Sequence, residues 1–349
     1  MTTDRTKPNS HDWTEPGVFE VAPGVHRIPL PLPNDGLRSV NVYAIMEMDG
    51  LVLIDSGWAL PEAREALESA LGTLGCGLGD VRRIFITHVH RDHYSQAVAL
   101  RRAFGIPISI GVHEERSLNV LTSPGHGRLT AQLALLNEHD ASEVAEKLQS
   151  VGAGLPVVEG MWEMPDDFLA DDVEIHLPSR NLRVIHTPGH TQGHVVYADE
   201  NEALLFAGDH VLPHITPSIG FEPVPGAQPL RDYVESLRLM RSLPDKKLLP
   251  AHGPIGPSVH QRADEILEHH DARLKSSYDA ITEGSSTASA VARQLTWTRR
   301  QTSFDDFDPF NRMLAVIETA SHLDLLVLQG KLRTETLNGV RHFMPATSN

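Results

Sequence analysis

A single cysteine, Cys76, in a chain of 349 residues leaves no partner for an internal disulfide, so the fold must rest on its core. No run of about 18 apolar residues occurs, which excludes an ordinary membrane-spanning helix. Residues 1–10 are polar and lack the apolar stretch of a secretory leader. These absences set the expectation of a cytoplasmic protein with no membrane partner. Positive charge is also short, with 30 Lys and Arg against 46 Asp and Glu, a formal net charge of −16. Nucleic-acid binding depends on clustered cations that displace counterions from phosphates, so this balance argues against a nuclease and against a nucleic-acid partner.

What is present is an ordinary soluble composition, 40% hydrophobic and 22% charged, long enough for one large domain and one small one. Histidine is plentiful, at 20 residues, and its placement carries the argument. Ile84-Phe85-Ile86 is a short apolar run that ends in Thr87-His88-Val89-His90-Arg91-Asp92-His93. This reads as a buried strand delivering three imidazoles and a carboxylate to the loop at its end, a metal site. The competing reading, a solvated His-rich turn, fails when partners appear at other strand ends. His190 and His194 follow the run 182–185, Asp209 and His210 follow 203–206, and His252 follows 247–250. Seven ligand candidates at four strand ends exceed what one tetrahedral ion uses, so two metals are expected. Histidine with carboxylate suits zinc first, with iron or manganese as alternatives.

In chain order, a disordered tail over 1–17 precedes alternating segments from Val18 to Asp55, which read as antiparallel strands joined by hairpins. Asp55, at a strand end, is a candidate partner for the far nitrogen of a ligand histidine, against the alternative of a plain turn residue. Pro61 opens a helix, and residues 95–104 form another after the central motif. Residues 116–160 carry apolar positions at helical spacing, with Asp140 as a candidate helix cap. This helical insertion is either a lid over the site or extra core, and we expect the lid. His113, His126 and His139 read as surface histidines and not ligands, and the Pro-rich run 210–229 as a wrap around the site mouth. Strands return from Val173, and residues 233–243 form a helix. Beyond 255, helices over 261–276, 287–295 and 311–329 precede an alternating pair around Asn338-Gly339, a hairpin turn signal. From Gly256 on, 10 Lys or Arg against 12 Asp or Glu net −2, so this winged-helix-like segment is expected to serve packing or self-association into a homo-oligomer.

The ordered set Asp55-Ser56-Gly57, His88-Val89-His90-Arg91-Asp92-His93, Pro188-Gly189-His190-Thr191, Gly208-Asp209 and His252-Gly253 resembles the metallo-β-lactamase superfamily in its glyoxalase II-like hydrolase branch. The resemblance covers about residues 18 to 255, the expected catalytic domain. Residues 256–349 are similar to the winged-helix extension of β-lactamase-like protein 2. The resemblance implies an α/β fold, a four-layer αβ/βα sandwich, with two metals. His88, His90 and His190 would hold the first metal, Asp92, His93 and His252 the second, and Asp209 would bridge them. Asp209 stands where the true β-lactamase branch uses cysteine, which argues against antibiotic hydrolysis. No basic cluster matches glutathione binding.

Two metals about 3.5–4 Å apart supply hydroxide at neutral pH and polarise a carbonyl or phosphoryl oxygen. Asp92, beyond ligating, is the candidate to orient that hydroxide and pass a proton to the leaving group, with Asp209 as the other catalytic carboxylate. Tyr94, His194 and His210 are candidates for substrate contact or for support behind the ligands, against a purely structural role. The leucines and valines of the insertion, with Met161, Trp162, Met164 and Phe168, predict apolar walls, against the alternative that they only pack the insertion. The reading is a dinuclear hydrolase of a small ester, thioester or lactone. Alternatives are a phosphodiesterase or nuclease with the same site, a mononuclear iron enzyme of the persulfide dioxygenase type, and a non-catalytic sensor.

Overall fold

The computed structural model describes residues 12–123, 129–152, 160–298 and 300–346. Residues 12–17, the end of the expected tail, form turns, with Asp12 paired to Arg38 and the Trp13 carbonyl accepting from Arg27. Residues 1–11 of that tail, and His126, lie outside the described residues.

Strands β1 (Phe19–Ala22), β2 (Val25–Pro31), β3 (Ser39–Glu47) and β4 (Gly50–Ile54) are antiparallel neighbours in chain order. After α1 (Pro61–Thr73), β5 (Val81–Ile86) pairs parallel to β4, and after α2 (Arg91–Phe104), β6 (Ile108–Gly111) pairs parallel to β5. Three short helices, α3 (Glu115–Leu121), α4 (Thr130–Glu138) and α5 (Ser142–Ser150), precede β7 (Asp167–Leu169), which closes this seven-stranded sheet beside β6. A second sheet contains β8 (Glu174–His176), β9 (Asn181–His186), β10 (Val195–Asp199), β11 (Leu204–Gly208) and, after α6 (Pro229–Ser242), β12 (Lys247–Pro250). The chain ends with α7 (Val259–Thr282), α8 (Ala288–Gln294), α9 (Pro309–Leu328) and the hairpin β13 (Leu332–Leu337) and β14 (Val340–Pro345).

Alternation along the strands builds the layers, because successive side chains face opposite sides of a sheet. In β3, Val40, Val42 and Ala44 join the core under α1 and α2, whereas Tyr43 and Ile45 enter the core between the sheets. In β11, Leu204 and Phe206 face the other sheet and Leu205 and Ala207 face α6 and α7. Both sheets are thus covered on both faces. The result is a four-layer αβ/βα sandwich with a C-terminal helical segment, and the end of β5, Ile84-Phe85-Ile86, is a continuous apolar run because it is buried on both sides.

Several expectations are corrected. Helix α2 begins at Arg91 and not at 95, so Asp92 and His93 sit in its first turn, where a carboxylate is favoured by the helix dipole. Asp140 does not cap a helix. It adopts φ 64° between α4 and α5, and its carboxylate accepts from Thr287. Over its described residues the insertion packs as core and not as a free cover. Leu129, Leu136, Val144 and Leu148 are buried in one cluster with Val291, Met313 and Val316 of the C-terminal helices, and Glu143 pairs with Arg293. Each such buried side chain contributes about 1.5–3 kcal/mol, so the insertion has more to lose by lifting than a mobile cover tolerates. His139 is buried, stacked on Phe343 of β14 with ring centroids 6.2 Å apart, while His113 is exposed as expected. Among the described residues, no helix is long and apolar enough to cross a membrane.

Candidate metal centre

Four strand ends meet at one edge of the sandwich: β5 brings His88 and His90 and leads into α2 with Asp92 and His93, β9 leads to His190, β11 to Asp209 and β12 to His252. Gly208 makes the approach of β11 possible. Its φ is 49°, and a Cβ there would lie 2.7 Å from both Thr87 and the His194 ring.

Hydrogen bonds settle which imidazole nitrogen is free. The Thr87 hydroxyl donates to Asp55 at 3.0 Å and therefore accepts from His88 Nδ1 at 3.0 Å. His90 Nε2 donates to the Phe221 carbonyl at 2.9 Å and His190 Nδ1 to the Ser218 carbonyl at 2.7 Å. The remaining nitrogens carry lone pairs, and they converge. His90 Nδ1 lies 3.0 Å from both His88 Nε2 and His190 Nε2, and those two are 3.3 Å apart. Ligand atoms about 2.0–2.1 Å from a tetrahedral ion stand about 3.3 Å from one another, so the spacing is that of a bound cation. Burial holds His88 well below the ordinary imidazole range and brings His90 down to about 3, which keeps these donors neutral.

A second group lies beside the first. His93 Nδ1 donates to Asp55 at 2.9 Å and His252 Nδ1 to the Ser39 carbonyl at 2.7 Å, so both Nε2 atoms are bare. His252 Nε2 is 3.4 Å from Asp92 and from Asp209, and His93 Nε2 is 3.7 Å from each. Asp209 presents Oδ1 to this group and Oδ2, 3.5 Å from His190, to the other. His93 Nε2, His252 Nε2 and Asp209 Oδ1 are buried without a hydrogen-bond partner. Burial opposes charge on His93, yet Asp55, Asp92 and Asp209 outweigh it and push the imidazole up to about 10. The site calls for positive charge. Orphaned lone pairs and carboxylates in this arrangement fit divalent metal ions in both groups.

Asp55 holds the array from behind. It adopts φ 60°, a strained backbone for a non-glycine residue, and accepts from Thr87 N at 2.8 Å as well as from His93. His194 is fully buried. Its Nε2 accepts from Asp209 N at 3.1 Å and its Nδ1 meets the Thr187 hydroxyl at 2.9 Å, so it positions Asp209 and faces no substrate. His210 is equally buried and lies edge-on to Tyr233 at 5.4 Å. Tyr94 is not at the site. Its hydroxyl donates to the Glu163 carbonyl at 2.7 Å and its ring stacks on Trp162, because one residue past His93 is a turn of about 100° around the helix. Trp162, Met164 and Phe168 pack on the core beneath α2 and Met161 is buried, so the apolar walls expected of them are core.

Sequence reasoning missed Thr87, Glu114, Glu222 and the three carbonyls. Glu114 is fully buried and accepts from Val89 N at 3.2 Å and from the Thr191 hydroxyl at 2.5 Å, tying together two loops that carry ligands. Glu222 accepts from Gln192 N at 3.0 Å, and Gln132 of α4 donates to its carbonyl at 2.7 Å. Burial pushes Glu114 up to about 7, and burial together with Glu114 pushes Glu222 up to about 8. A carboxyl held above its usual 4.5 contributes stability that is fully present below that value and lost as pH rises through 7 to 8. Glu222→Gln is therefore expected to raise the Tm relative to wild type at pH 8 or above and to leave it unchanged near pH 4. Thermal unfolding across that range checks it, and an advantage that does not grow with pH refutes it.

Residues 35–252 match the Metallo-beta-lactamase superfamily. The chain is 24% identical over 311 residues to the probable metallo-hydrolase YqjP of Bacillus subtilis, covering 86% of this chain and 90% of that protein. It is 29% identical over 248 residues to the beta-lactamase-like protein 2 homolog of Caenorhabditis elegans, covering 71% and 67%. The crystal structure of a metallo-beta-lactamase family protein from Thermus thermophilus superposes with a TM-score of 0.76 at 25% identity, covering 93% of this chain and all of that one. A match over the catalytic sandwich in sequence and over nearly the whole chain in three dimensions leaves one conclusion: the chain belongs to the metallo-beta-lactamase superfamily, as a metallo-hydrolase.

Proposed function

We propose that the protein is a dinuclear hydrolase of a small neutral acyl compound, an ester, thioester or lactone. His88, His90 and His190 hold one divalent ion, Asp92, His93 and His252 the other, and Asp209 bridges them, with zinc the first choice of metal. The observation that carries this reading is the two-sided placement of Asp209, one oxygen toward each group. Ions bound there polarise a substrate oxygen and lower the pKa of water. Asp92, with its side chain 14% exposed against 8% for Asp209, is the more open carboxylate. It accepts a hydrogen bond from water at the mouth, aims it, and takes the proton that the leaving group later needs.

The acyl class is supported by how the neighbouring cation is used. Arg91 pairs with Asp35 at 3.0 Å and lies over the Trp58 ring at 4.1 Å, so its charge is already engaged. Phe221 covers His90, with ring centroids 5.8 Å apart. A phosphodiester would need free Arg or Lys to replace its hydration, and the acidic balance of the whole chain also disfavours a nucleic-acid substrate. Acyl thioesters, lactones and aryl esters, assayed beside bis-aryl phosphodiesters and RNA, test this. Turnover on an acyl substrate is the expected result, and efficient turnover confined to the phosphorus substrates overturns the assignment.

A further inference from the structure

Outside this centre, His113, Asp171 and His186 form another group whose donor atoms all lie within 4.8 Å of one another. His113 lies in the single turn after β6, Asp171 follows β7 and His186 ends β9, so the two sheets meet here as well. Asp171 Oδ2 is 3.1 Å from His113 Nε2 and 3.5 Å from His186 Nδ1, again close to the spacing of about 3.3 Å between ligands of a tetrahedral ion.

An exposed His–Asp ion pair is the ordinary alternative, and the hydrogen bonding of His186 speaks against it. His186 Nε2 lies 2.7 Å from the Gln192 carbonyl, which only accepts, so the proton is on Nε2. Nδ1 then turns a lone pair toward a carboxylate oxygen. That contact is repulsive unless a cation or a second proton lies between them. A second proton is the poorer occupant, since it would leave a charged ring stacked on His113 with centroids 4.3 Å apart, whereas an ion between them takes a lone pair from each ring. A metal ion satisfies both histidines and the carboxylate at once.

We propose that His113, Asp171 and His186 form an additional transition-metal site at the surface, taking one zinc-type divalent cation with an open position toward solvent. His113 and His186 line a cleft of about 290 Å³ together with Arg116, Gln192 and Asp232. The site is wired to the main centre. His113 precedes Glu114, whose carboxylate holds the 88–90 and 190–192 loops, and His186 closes the second of these loops through Gln192. An ion held here braces both. Its affinity is lower than that of the buried centre, because the His113 and Asp171 side chains are each 46% exposed and lose part of their pull to water.

Equilibrium dialysis of the full chain against buffered free Zn²⁺ tests the proposal. Wild type is expected to bind one more ion per chain than either His113→Ala or Asp171→Asn, while His176→Ala, at an exposed histidine elsewhere, matches wild type. The reading is a difference, so it does not depend on how many ions the main centre holds. In Zn²⁺-soaked crystals, an anomalous peak about 2.1 Å from His113 and His186 nitrogens is expected. Equal stoichiometry and affinity in wild type and both variants, or no peak at this position, overturns the site.

Discussion

Asp209→Ala is expected to lower kcat/KM on the best acyl substrate by at least about three orders of magnitude and to deplete bound metal from both groups. Asp209 Oδ1 lies 3.4 Å from His252 Nε2 and Oδ2 lies 3.5 Å from His190 Nε2, so one side chain serves both. Two dications about 3.5–4 Å apart repel strongly, and an anion between them offsets much of that repulsion. Alanine removes the anion and leaves the Nε2 atoms of His93 and His252 with one carboxylate, Asp92. Elemental analysis after reconstitution, together with activity, checks the prediction. Two ions retained per chain with near-normal turnover would rule out the bridging role. His194 is expected to remain in place, because it is held by Thr187 and accepts from the backbone nitrogen of residue 209, which alanine keeps.

Asp55→Asn is expected to weaken metal binding by about 10–100-fold without unfolding the chain, and added Zn²⁺ is expected to restore most of the activity. Asparagine tolerates the φ of 60° found at this position, so the backbone can persist. The chemistry changes more than the shape. Asp55 accepts from Thr87 N and from His93 Nδ1. Asparagine has one oxygen, and keeping it on Thr87 N turns its amide group toward His93. That favours the wrong imidazole tautomer, with a proton on Nε2 where a lone pair is needed. The Thr87 hydroxyl, which orders His88, loses half of its carboxylate partner as well. Metal affinity measured against a competing chelator separates this from a simple loss of fold. An unchanged affinity would show that Asp55 only shapes the turn.

The helices and strands were legible wherever the signal is local. Period-two alternation marked β3 and its neighbours, and Asn338-Gly339 marked the terminal hairpin, where both residues have positive φ. Pro309 after Asp308, whose side chain accepts from Asn311 N at 3.0 Å, starts α9 two residues before the apolar spacing alone placed it. The Pro-rich run also pointed the right way, since its Ser218 and Phe221 carbonyls reach His190 and His90.

The amino-acid sequence by itself determined the chemistry of the centre: which imidazoles and carboxylates exist, and that each follows an apolar strand. Tertiary structure alone decided what orients them and what stands nearby. The orienting groups are backbone carbonyls, such as that of Ser39 beside His252, and a carbonyl has no signature in a sequence because every residue carries one. Glu114 is invisible for a related reason, since its role exists only where two loops about a hundred residues apart meet in space. The insertion and Tyr94 were misplaced because periodicity shows that a face is buried but not against what. Leu136 and Val144 found their cover in the C-terminal helices, and Tyr94 found its own beside Trp162, away from the metals.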